Sequence, residues 1–111
     1  MSTTDIVELN ARVDEVHLHT DFGYLTAVLN LDLGGTHVGF GTHDLRGKDR
    51  AYSFITECMR VTESLYWNDI AGKVIRVMRV KRGSRSTIIA IGHPLKELWF
   101  NPSDLWDYID D

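Results

Sequence analysis

The sequence has one cysteine, Cys58, among its 111 residues. A single thiol excludes an intramolecular disulfide and the paired-cysteine zinc patterns, and a reducing compartment is expected. The two prolines, Pro94 and Pro102, both fall late, so no fixed φ interrupts the chain before residue 94. No apolar run approaches the roughly 20 residues that a membrane-spanning helix needs. Residues 1–16, MSTTDIVELNARVDEV, carry charges every few residues and lack an apolar core segment, so no signal peptide and no membrane partner are expected. Internal repeats and low-complexity tracts are missing as well. Acidic residues are absent from 70 to 96, and basic residues are absent after Lys96. These gaps give an ordinary net charge of −4 a lopsided distribution, a property that bears on partners more than on fold.

What is present describes an ordinary globular chain. Hydrophobic residues make up 43% and charged residues 25%, which argues against disorder as the dominant state. A chain of this length buries about two-thirds of its unfolded surface, enough for one core and too little for two. The expectation is a single α+β domain over residues 1–111, with 1–4 frayed, in the cytoplasm.

The pattern around which the rest is arranged is FGYLTAVLNLDLGGTHVGFGTHDL, residues 22–45. Leu25, Ala27, Leu29, Leu31 and Leu33 alternate with Tyr24, Thr26, Val28, Asn30 and Asp32, a period of two that puts an aliphatic face on one side of a strand. Gly34-Gly35 then supplies the positive φ of a hairpin turn before a second short strand, 36–40. Upstream, Val7, Leu9, Ala11 and Val13 share one parity and Val16 and Leu18 the other. Such a switch predicts a bulge near Asp14-Glu15 in a long strand serving two parts of a sheet. Residues 20–23 predict a type I turn or a three-to-four-residue hairpin loop. Phe54, Ile55, Cys58, Met59 and Thr62 give a helical stripe, predicting a helix from Ala51 to about Glu63 that covers the aliphatic face. A single helical turn ending at Gly72, a second hairpin (73–82 and 86–92) around Gly83, and a short C-terminal helix carrying Leu105, Trp106 and Ile109 complete the reading. The fold class is therefore α+β: a twisted antiparallel sheet of about five strands, one helix packed across a face, and a short C-terminal helix.

Chemistry is harder to find. His17 and His19 share one strand face, a spacing that can place two imidazoles on one ion if His37 or His43 arrives from the next hairpin. No acidic helix motif completes a zinc pattern, so no metal ligand is assigned. Cys58 lies on the apolar helix stripe, where a thiol behaves as a small hydrophobe. Gly39-Phe40-Gly41 is no phosphate loop, because neither a Lys-Ser/Thr pair nor a helix follows directly. No catalytic residues and no cofactor are assigned, and the protein is read as no enzyme. Two partner-binding patches stand out. Arg79, Lys81, Arg82 and Arg85 gather around the second hairpin turn, suited to an acidic protein or a phosphate backbone, although the acidic overall balance argues against a dedicated nucleic-acid binder. Trp106 and Tyr108 add an aromatic, acid-flanked tail.

The segments GYLTAVLNLDLGGTHVGFGTHDL, WNDIAGKVIRV and IAIGHPLKELWFNP resemble a family of small proteins encoded by tailed phages and prophages. The family pattern has a GxLT-type strand, a GG-x3-GFG hairpin, a W-x-x-L-x-G-K segment and an IGN-x5-WFNP ending. Ile70 stands where the family favours Leu, and His93 where it favours Asn. The likeness spans residues 20–102 and carries no established catalytic or binding residues. It implies a phage accessory protein in the host cytosol and, by analogy with anti-CRISPR proteins that occupy a nuclease complex, an inhibitor of a host protein or nucleoprotein complex. The competing expectation is a homo-oligomer that cradles a small phosphate-bearing signal molecule or nucleotide between hairpin tips.

Overall fold

The computed structural model describes residues 4–21, 23–42, 50–82 and 85–103. In chain order the elements are β1 (Thr4–Asp21), β2 (Tyr24–Asp32), β3 (His37–Gly41), α1 (Arg50–Thr62), a 3-10 turn (Trp67–Ile70), β4 (Val74–Arg82), β5 (Arg85–Gly92) and β6 (Trp99–Phe100). The strands form one sheet in the order β3-β2-β1-β4-β5-β6, every neighbouring pair antiparallel. No helix among the described residues is long and apolar enough to cross a membrane.

The sheet is organised by β1, whose two halves have different neighbours. Its first half pairs with β4, from Thr4 opposite Arg82 to Arg12 opposite Val74, and its second half pairs with β2, from Arg12 opposite Asp32 to Asp21 opposite Tyr24. The register with β2 slips between Val13 and Glu15, which is the expected bulge. One extra residue there turns the side-chain alternation over, so Val13 and Val16 both reach the core. Thr4, which the sequence reading placed in the frayed segment, is paired with Arg82 in the strand. The β1–β2 connection is also tighter than the sequence suggests. Pairing runs to Asp21 and Tyr24, leaving two residues between the strands, with Gly23 at a φ of 82°.

A helix 13 residues long covers the inner face. Ala51, Phe54, Cys58 and Val61 are its buried apolar residues, three to four apart as one helical face requires, with Ile55 and Met59 flanking them and Thr62 buried at the end. Its end is a Schellman motif: the Ser64 amide donates to the Met59 carbonyl (2.9 Å) and the Glu63 amide to the Arg60 carbonyl (3.2 Å). Glu63 occupies the left-handed position, φ 53°, where glycine is usual. Lys73 reaches back from the start of β4 and donates through Nζ to the Thr62 carbonyl (2.9 Å) and to Ser64 Oγ (2.8 Å), placing a cation at the negative end of the helix dipole.

Three phenylalanines show how far the sheet curls. Phe40 on β3 and Phe100 on β6 belong to opposite edges of the sheet, yet their ring centroids lie 6.4 Å apart. Phe54 of α1 sits between them, 5.3 Å from Phe40 and 5.6 Å from Phe100. The sheet is thus a half-barrel wrapped around one helix, its edges brought together on an aromatic cluster.

The sheet and its coverage differ from the sequence reading. The described residues form six strands rather than about five, because Trp99–Phe100 adds a two-residue edge strand beside β5. Phe100 enters the core, whereas Trp99 stays outside it, half-buried over Gly92. The aliphatic face of β2 is covered only where the helix reaches: Ala27, Leu29 and Leu31 are buried, but Leu25, with Leu18 diagonal to it on β1, remains exposed at the hairpin tip. The expected C-terminal helix, with Trp106 and Tyr108, lies outside the described residues.

Candidate functional site

The cationic patch singled out from the sequence sits at the β4–β5 turn. Arg82 is the register partner of Arg85, and Lys81 that of Ser86, with two residues between the strands. Side chains alternate along β4, so Arg79 shares the inner face with Ile75 and Val77, both fully buried. Arg79 is half-buried there beside its register partner Ile88, with its Nε shielded from solvent. Lys81, one turn of the pleat further, is exposed. Lys81 is thus the exposed cation of β4, next to the Arg82–Arg85 register pair, and Arg79 belongs partly to the core margin.

Arg76 lies on the outer face and is the centre of a network that the sequence did not announce. Its Nε donates to the His93 carbonyl (2.7 Å), one Nη to Glu8 (3.0 Å) and the other to the Lys96 carbonyl (2.8 Å). Its guanidinium carbon stands 4.8 Å from the centroid of the Trp99 ring. That ring in turn lies flat on Gly92, where a Cβ would come within 2.6 Å of it. The loop between β5 and β6 is held from the other side by Glu63. His93 Nδ1 accepts the backbone amides of Leu95 and Lys96 (3.0 Å each), which leaves the ring proton on Nε2 to be donated to Glu63 Oε1 (2.9 Å). Lys96 Nζ meets the other Glu63 oxygen at 2.6 Å. Both partners hold the Glu63 carboxyl below its ordinary pKa, Lys96 first and His93 second. Around this clasp Leu65, Tyr66 and Leu95 stand in solvent.

A third locus is on the outer face of the β1–β2–β3 end. The bulge presents Asp14 beside Asp32 of β2 and His37 of β3, three groups whose ligand atoms all lie within 4.8 Å of one another. His37 Nδ1 is 3.2 Å from Asp14 Oδ2, and Arg12 lies 3.1 Å from Asp14 and 3.6 Å from Asp32. The amides of Gly34 and Gly35 donate to one oxygen of Asp32 (2.9 and 2.8 Å), fixing its carboxylate as an Asx turn and lowering its pKa, Gly35 contributing most. Next to this group an open depression of about 450 Å³ is lined by Asp14, Glu15, Asn30, His37, Val38 and Gly39.

The histidine arrangement differs from the one the sequence suggested. His17 and His19 share the outer face as expected, but His17 is opposite Val28 and bonds with Glu15 (3.3 Å) and Asn30 (3.1 Å). His37 is opposite Asp32, four residues further along β2, or about 13 Å at strand rise. It therefore joins two aspartates rather than two histidines, and His43 lies outside the described residues. The signal that would have revealed this group was the bulge itself, which aims Asp14 at the β2–β3 turn. Cys58 is buried, and burial raises its thiol pKa well above the ordinary value, as befits a core side chain.

Comparison of the chain with protein-family models, with curated proteins and with solved structures gives no match.

Proposed function

We propose that the chain is a non-enzymatic phage accessory protein that binds and inhibits a host macromolecule, in the manner of an anti-defence or anti-CRISPR protein. The observation that carries this reading is the register of the second hairpin. Two arginines, Arg82 and Arg85, are direct cross-strand partners, with Lys81 one position before them and exposed. Like charges directly opposite on a sheet disfavour the pairing. An anionic partner surface, either acidic side chains or phosphates, would convert that repulsion into contact. Trp106 and Tyr108 in the acidic tail are offered as the second contact. The phage origin comes from the motif resemblance.

The test is charge reversal at Lys81, Arg82 and Arg85, leaving Arg79 in place because its stem packs at the core margin. The triple variant is expected to keep the melting temperature within a few degrees while capture of the partner is lost. Unchanged capture would remove the hairpin from the interface. The competing reading, an oligomer holding a phosphate-bearing small molecule at the same cations, is separated by a thermal-shift screen with nucleotides. A true ligand at about 100 times its dissociation constant adds about 2.7 kcal/mol.

A further inference from the structure

We propose that Asp14, Asp32 and His37 bind one divalent transition-metal ion, of the zinc or manganese class, on the outer face of the half-barrel. The three ligands come from three adjacent strands of one hydrogen-bonded sheet, so their spacing is set by backbone rather than by loop conformation. Two carboxylate oxygens and an imidazole nitrogen form a mixed oxygen–nitrogen set suited to such ions. Ligand atoms on one ion at about 2.1 Å lie about 3.4 Å apart. The present separations, all within 4.8 Å, close to that by small side-chain rotations. Asp32 is held for the role: its Oδ1 takes both glycine amides, which leaves Oδ2, 3.6 Å from Arg12, without a backbone donor.

The second observation is the depression beside the three ligands. Glu15 and Asn30 line it together with Asp14 and His37, so further oxygen donors and room for water adjoin the three ligands. Arg12 provides the local positive charge in the present structure, within 3.6 Å of both aspartates. Its side chain is 59% exposed, which leaves it room to swing away from the cluster into solvent. Arg12 and the metal ion therefore compete for the same carboxylates.

Titration of the intact protein with Mn²⁺, followed by paramagnetic broadening of histidine ring signals, and with Zn²⁺ by calorimetry, tests this. One ion per chain is expected, with His37 broadened ahead of His17 and His19. Asp14→Asn and His37→Ala are each expected to weaken binding by about ten-fold or more. Arg12→Ala is expected to strengthen it, and this variant removes no core contact. Asp32→Asn is set aside because Asp32 also holds the Gly-Gly turn. Broadening centred on His17 and His19, binding unaffected by both ligand variants, or no binding at millimolar ion would each overturn the assignment.

Discussion

Glu63 terminates α1 in a left-handed backbone conformation and at the same time clasps His93 and Lys96. Its folded pKa is below the ordinary 4.5, so its contribution to stability is present above that value and is lost as pH falls through the lower, folded one. Asp32 acts in the same direction from 3.8. Replacing Glu63→Gln should therefore lower the melting temperature at neutral pH, with the difference from the parent shrinking below pH 4.5. A set of melts across pH 3–7 checks this, and a constant difference would contradict it. Gly92→Ala would drive a Cβ into the Trp99 ring at 2.6 Å. It should displace that ring from beneath Arg76, destabilise the fold and shift tryptophan fluorescence. At this scale the sequence was partly legible. Phe54 and Cys58 were assigned to the core from their spacing alone, whereas Gly92 and Trp99 gave no sign of touching because their contact depends on the β5–β6 pairing.

At the scale of elements, α1 is closed by a residue 11 positions beyond its end. Lys73 caps the last carbonyls of the helix. Lys73→Met keeps the aliphatic stem and removes the charged donor, and it should cost about 1–2 kcal/mol in urea melts. Two bulges shape the sheet among the described residues, and they differ in how readily the sequence shows them. The one at Asp14 switches a run of apolar residues from one parity to the other, and the pattern shows it directly. The one in β5 slips the register between Met78/Arg79 and Ala90/Ile88, bringing Ile91 and Ile88 to the same face. It is silent in the sequence because Ile88, Ile89, Ala90 and Ile91 are apolar at both parities. β6 was missed for another reason: two residues are too few to display a period. For the Asp14–Asp32–His37 group the bulge and the Gly-Gly turn each show in the pattern, but their meeting across three strands does not.

The whole molecule is a half-barrel closed on Phe40, Phe54 and Phe100, with its unusual features on the outside. Phe54→Ala removes the ring that both edge strands meet, and it should cost about 3–5 kcal/mol with loss of the near-ultraviolet dichroism of the aromatic cluster. A smaller loss would mean that the edges close without it. Charge is distributed on the same scale: a cationic end at the β4–β5 turn stands away from the acidic Asp14–Asp32–Glu15 face. That polarity is what a partner of opposite sign would recognise, and the central claim concerns such a partner. The most direct measurement is affinity capture of the tagged protein from bacterial host cells, followed by mass spectrometry. The account predicts one enriched defence or nucleic-acid-processing complex, released as salt is raised. Recovery of the tagged protein with no such complex would contradict it.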